Sequence, residues 1–76
     1  MELDVEVIPL ERDYTGSLLM VLLYRLGLAE TIIDSTVLMR NGAVFVNGNP
    51  VKDLNFRLRR EKTTIVVGLR GVELIP

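Results

Sequence analysis

The sequence predicts a small α+β domain: two packed helices against a short, strongly twisted antiparallel β-sheet, with an extended N-terminal arm. Three observations carry this reading. Two adjacent runs, residues 18–28 and 31–40, have helical character. A β-branched and aromatic strand, Val44-Phe45-Val46, runs straight into Asn47-Gly48, the dipeptide that best tolerates the positive backbone angles of a two-residue hairpin. A second β-branched run, Thr63–Val67, follows downstream and supplies a further strand.

The elements can be justified in chain order. Residues 1–16 form an acidic extended arm. Leu3, Val5 and Val7 alternate with Glu2, Asp4 and Glu6, which is the period of a strand with one apolar face. Pro9 ends that strand or places it at an edge, and residues 11–16 are a polar connector. The module proper spans residues 17–68. Helix one begins near residues 15–17, where Thr15 or Ser17 can cap it. Leu19, Leu22, Leu23 and Leu26 form its inward stripe, but Leu18, Met20 and Val21 fall partly outside that stripe. A helix apolar nearly all round is buried on more than one side, and a domain this small can hardly cover it alone. Leu18, Met20 and Val21, with Ile32, are therefore either ordinary core or a face for a protein partner. Gly27 fits a helix C-terminal stop.

Thr31-Ile32-Ile33-Asp34 resembles a capping box, and Ile33, Val37 and Leu38 give helix two an inward face. Asn41-Gly42 is a left-handed stop. Residues 43–46 make a strand, 47–50 the turn, and Val51-Lys52 the start of the return. Residues 53–58 connect, with Phe56 as an anchor, and lead through the charged turn Arg59-Arg60-Glu61-Lys62 to the strand 63–67. Residues 69–76 are an extended tail that can add a pairing through Val72, Leu74 and Ile75.

Composition narrows the chemistry. A chain of 76 residues holds one core, and with half of its residues apolar and few of them aromatic that core is aliphatic. Without cysteine there is no disulfide and no thiolate metal site, and without histidine the usual general base and zinc ligand are gone. No phosphate-cradling glycine loop or catalytically spaced carboxylate pair stands out, so an enzyme is not expected, nor is a cofactor or a small-molecule substrate. The most apolar run, residues 18–28, is about half the roughly 20 residues of a membrane span, and acidic residues precede it where a signal peptide would be basic. Formal net charge is −1, but it is unevenly placed: residues 1–17 carry −4 and residues 18–70 carry +4. An acidic arm joined to a basic module suits an RNA partner better than the total suggests, although two solvated surfaces of opposite sign give the same numbers.

The run Leu23-Tyr24-Arg25-Leu26-Gly27-Leu28-Ala29-Glu30-Thr31, followed by Arg40-Asn41-Gly42-Ala43-Val44-Phe45-Val46-Asn47-Gly48, resembles the RNA-binding domain of the small-subunit ribosomal protein four family. Val51, then Asn55-Phe56-Arg57-Leu58, a charged turn and a β-branched strand continue in that domain's order, so the likeness covers residues 18–67. The Tyr-Arg-Leu-Gly-Leu-Ala run is more similar to the ribosomal protein than to the copies attached to pseudouridine synthases or tyrosyl-tRNA synthetases. The resemblance implies a structural component of the small ribosomal subunit whose partners are its rRNA and neighbouring ribosomal proteins. It also shows departures. Where the family opens helix one with Arg-Leu-Asp, this chain has Leu18, Leu19 and Met20. Where the family opens helix two with Ser-Arg and places another arginine four residues on, it has Thr31, Ile32 and Thr36. Those arginines meet phosphates, and leucine, isoleucine and threonine cannot replace the charge. Apolar drift with loss of arginine points to an organellar, mitochondrial ribosome, with the cytoplasm or another organelle as the alternative.

The surviving RNA-contact candidates are Arg25, Arg40, Asn41, Lys52, Arg57, Arg59, Arg60 and Lys62. Each has a structural reading too. Arg57, Arg59, Arg60 and Lys62 are a phosphate clamp or a solvated turn partly neutralised by Glu61. Arg40 and Asn41 contact RNA or simply complete a helix C-terminus. Lys52 meets a phosphate or solvent, and Arg25 snorkels to phosphate or pairs with Glu30. Asn47 and Gly48 serve backbone geometry. Two other classes compete: a protein–protein module that keeps the fold without RNA contact, and a ubiquitin-like or sulfur-carrier domain. The ending Leu74-Ile75-Pro76 in place of a Gly-Gly, and two adjacent helices before the hairpin, argue against the latter.

Overall fold

The computed structural model describes residues 4–9, 16–59 and 61–75. Its elements are β1 (Asp4–Pro9), α1 (Leu19–Arg25), α2 (Ile32–Arg40), β2 (Val44–Val46), β3 (Asn49–Pro50), β4 (Thr63–Val67) and β5 (Arg70–Ile75). Both helices stop by the same device. Gly27 after α1 and Gly42 after α2 take left-handed φ of 75° and 72°. Their N–H groups bond back to Tyr24 and Met39, and the following residues, Leu28 and Ala43, bond to Leu23 and Leu38. This is the double closure of a Schellman motif, which satisfies carbonyls that the helix leaves open. Asn41 itself keeps a right-handed helical φ, so the left-handed position belongs to Gly42 alone.

The helix starts differ. At α2 the Thr31 Oγ1 accepts the Asp34 N–H at 3.0 Å, as the capping-box pattern predicts. At α1 the cap is Leu18, whose side chain offers no oxygen; the expected cap by Thr15 or Ser17 is not what starts the helix, and Thr15 lies outside the described residues. Instead the Leu19 N–H donates to the Phe56 carbonyl at 2.9 Å, so a distant segment satisfies one of the open donors.

The sheet has five strands in the order β1-β5-β4-β2-β3. The β2–β3 hairpin turns at Asn47-Gly48, both with positive φ (51° and 84°), as a type I′ turn requires. β4 and β5 form a second tight hairpin through Gly68-Leu69, and β2 pairs antiparallel with β4. The expectation of a wholly antiparallel sheet is corrected at one edge: β1 lies parallel to β5, from Asp4 beside Arg70 to Pro9 beside Ile75. Residues read as an arm and a tail are thus neighbours in one sheet, and Pro9 sits at the end of an edge strand, a position that tolerates proline.

The core is aliphatic. Leu19, Leu22 and Leu23 of α1, Met39 of α2 and Val44, Ile65 and Leu74 of the sheet are fully buried. Two expectations about the helices are corrected. Helix two does not turn Ile33 and Val37 inward: they are 74% and 50% exposed, and Ser35 and Met39 are buried in their place. Ser35 tolerates burial because its hydroxyl bonds the Thr31 carbonyl one turn back. The domain also covers α1 better than its size suggested. Leu18, Met20, Val21 and Leu26 are half-buried, with Met20 and Leu26 packed on the core. The physical reason is the segment 55–59, which lies along residues 16–19 and shields the start of α1. Among the described residues no helix is long and apolar enough to cross a membrane.

Candidate nucleic-acid interface

The segment between β3 and β4 has almost no regular structure, yet it is held tightly. The Asp53 carboxylate accepts the Asn55 N–H at 2.9 Å, and the Asp53 carbonyl accepts the Phe56 N–H at 3.0 Å, which makes a local turn. Beyond it, the Gly16 N–H donates to the Leu58 carbonyl, and the Leu58 N–H to the Ser17 carbonyl. The Arg57 guanidinium adds a bond from Nη1 to the Gly16 carbonyl at 2.6 Å. Leu58 is buried, so it anchors the segment and leaves its neighbours Arg57 and Arg59 exposed. The alternation of exposed arginine and buried leucine follows from this strand-like pairing with residues 16–19.

Opposite this segment stands the tip of the β2–β3 hairpin. Asn47 is fixed there twice by β4: its N–H donates to the Thr64 carbonyl at 2.8 Å, and its Oδ1 accepts the Thr64 N–H at 2.9 Å. Asn47 therefore does more than permit a turn; its side chain ties the hairpin to the sheet. An open groove of about 510 Å³ runs between the two segments, with Asn47, Asn55, Phe56, Arg57, Arg59 and Glu61 among its walls. Sequence pattern alone does not single out Asn55 or the groove role of Phe56, although both lie in the Asn-Phe-Arg-Leu run.

The other candidates are placed elsewhere. Arg40 and Asn41 close α2, and the Lys52 stem passes over the adjacent Gly42, where a Cβ would stand 3.1 Å from the lysine Cε. Arg40, Asn41 and Lys52, all exposed, thus gather at the C-terminal end of α2. Arg25 is exposed in the last turn of α1. Arg70 donates to the Gly27 carbonyl at 2.7 Å and so steadies that helix end. Lys62 pairs with Glu73 at 2.9 Å, not with Glu61, and remains 70% exposed. Arg60 lies outside the described residues. Among the described members of the positive cluster read from the sequence, Arg57 and Arg59 share the groove and Lys62 does not line it.

The apolar candidates separate in the same way. Leu18, Met20 and Val21 are half-buried, whereas Ile32 is 42% exposed. The exposed apolar surface on the helices is formed by Tyr24, Ile32 and Ile33, which line a shallow depression with Glu30 and Thr31, and by Val37.

Exposed guanidinium groups on a rigid wall suit phosphate, because a planar donor fork matches its oxygens and no ordering of the wall is needed on binding. No curated protein matches the chain closely enough to count as a relative. A family model, described as the S4 domain, matches residues 18–63 and so takes in α1, α2, the β2–β3 hairpin and the whole groove-forming segment. With well over half of its length matched by that model, this chain belongs to the S4 domain family, a family of RNA-binding domains.

Proposed function

We propose that this domain is a structural rRNA-binding component of a small ribosomal subunit, that of the mitochondrial ribosome. The observation that carries the RNA side is the groove between Asn47 and the 55–59 segment, with Arg57 and Arg59 on one pre-ordered wall inside the S4 match. Arg40, Asn41 and Lys52 at the end of α2 give a second phosphate-facing group. Contacts of this kind hold the RNA backbone and carry little base information. The ribosomal assignment is supported by the likeness of the Tyr-Arg-Leu-Gly-Leu-Ala run to the ribosomal members. The mitochondrial one is supported by the apolar residues at Leu18, Met20 and Ile32, where those members carry charged or polar groups. The exposed Tyr24, Ile32 and Ile33 then face neighbouring ribosomal proteins.

Sucrose-gradient fractionation of native lysate after a wash at moderately high salt tests this. Co-sedimentation with the small subunit, from mitochondria specifically, is the expected result. Migration free of rRNA sinks the ribosomal reading and leaves a protein-interaction module.

A further inference from the structure

Contact with the backbone of a duplex needs only exposed cations, yet the groove beside the hairpin tip holds more. Phe56 is half-buried: it packs against the core cluster and also lines the groove. Asn47 spends its Oδ1 on the Thr64 N–H, which leaves its amide donors for a ligand. The Asn55 side chain carries no internal hydrogen bond among the described residues. An aromatic ring, two amides and two arginines around about 510 Å³ are the ingredients of a small-ligand site within the roughly 300–1,000 Å³ that such sites occupy.

We propose that this groove takes one unpaired nucleotide of the bound RNA, with the base on Phe56, its edge at Asn47 and Asn55, and its flanking phosphates at Arg57 and Arg59. The proposal rests on the RNA-binding reading above and narrows it. An A-form stem offers its protein partners phosphates, hydroxyls and a shallow minor groove, whereas a base outside the stack can lie on an aromatic side chain and be hydrogen-bonded along its edge. The walls are set before binding. The 55–59 segment is held to residues 16–19 by the Gly16–Leu58, Leu58–Ser17 and Leu19–Phe56 backbone bonds, and the hairpin tip is held to β4. Little ordering remains to oppose insertion of the nucleotide.

The test uses the whole chain and labelled RNA hairpins of one stem sequence, either fully paired or carrying a single-nucleotide bulge, with affinities read by fluorescence anisotropy. Bulged hairpins are expected to bind about tenfold more tightly than the paired one, in line with one base stacked on an aromatic ring. Phe56→Leu, which keeps an apolar group on the core, is expected to weaken binding of the bulged hairpins about tenfold more than that of the paired one. Asn55→Ala should lower bulge binding in the same selective way. Equal binding of bulged and paired hairpins, or an equal effect of Phe56→Leu on both, overturns the nucleotide groove and leaves RNA binding intact. Absence of binding to every hairpin overturns both readings.

Discussion

The two helices end alike and begin differently. α2 is specified by its own sequence: Thr31 caps it, Gly42 stops it, and Ser35 satisfies its buried hydroxyl within the helix. α1 has only seven residues, no side-chain cap and three fully buried leucines. It is specified by what surrounds it, from the Phe56 carbonyl at its start to the Arg70 guanidinium against the Gly27 carbonyl after its end. A helix this short is not stable by itself, so α1 exists because the core and the 55–59 segment exist. The same segment forms one wall of the groove. α1 and one wall of the candidate RNA site therefore depend on the same segment, whereas the cap and stop of α2 come from its own residues.

This contrast makes predictions that can break it. The largest effect belongs to α1. Leu22→Ala, at a fully buried position, is expected to destabilise the domain by about 2–5 kcal/mol in denaturant melts. Val37→Ala on the exposed side of α2 should stay within about 0.5 kcal/mol. Similar losses at the two sites would mean that the Val37 side of α2 is covered as fully as the Leu22 side of α1. Next comes the stop of α2. Gly42→Ala places a side chain at a φ of 72° and should lower stability by about 1–2 kcal/mol, again by chemical denaturation. The flexible Lys52 stem can move aside, so strain in the backbone, not the side-chain contact, sets the size. The local cap comes after that: Thr31→Ala is expected to cost about 1 kcal/mol, with earlier amide exchange in the first turn of α2 and little change in α1. A loss of protection in α1 as large as that in α2 would show that the two helices are not separable in this way.

Legibility in the sequence follows the same division. Signals that act over three or four residues were readable: the Thr31 cap, Gly27 and Gly42 beyond the helices, and the Asn47-Gly48 turn. Which face of α2 turns inward was misread because Ile33 and Val37 outweigh Ser35 on any hydropathy count, and nothing local announces that a serine can be satisfied by its own helix. The parallel partner of β1 was not readable, since an alternating strand shows which face is apolar but not which edge it will join. At the site, the charges of Arg57 and Arg59 were visible, but the Lys62–Glu73 pair that sets Lys62 apart depends on the β4–β5 register. The role of Asn55 and Phe56 as groove walls needed the pairing of residues 55–59 with 16–19, which spans forty positions of chain and leaves no periodic trace.

The parallel pairing of β1 with β5 also sets an order in time. Asp4 lies in register with Arg70, so β1 is synthesised well before the strand it pairs with. Until then its valines have no ladder to join. Closing so long a loop is slow relative to forming the β2–β3 and β4–β5 hairpins, whose partners are close in sequence. A nascent chain halted before residue 70 would therefore carry its groove-forming segments with β1 lacking its partner strand.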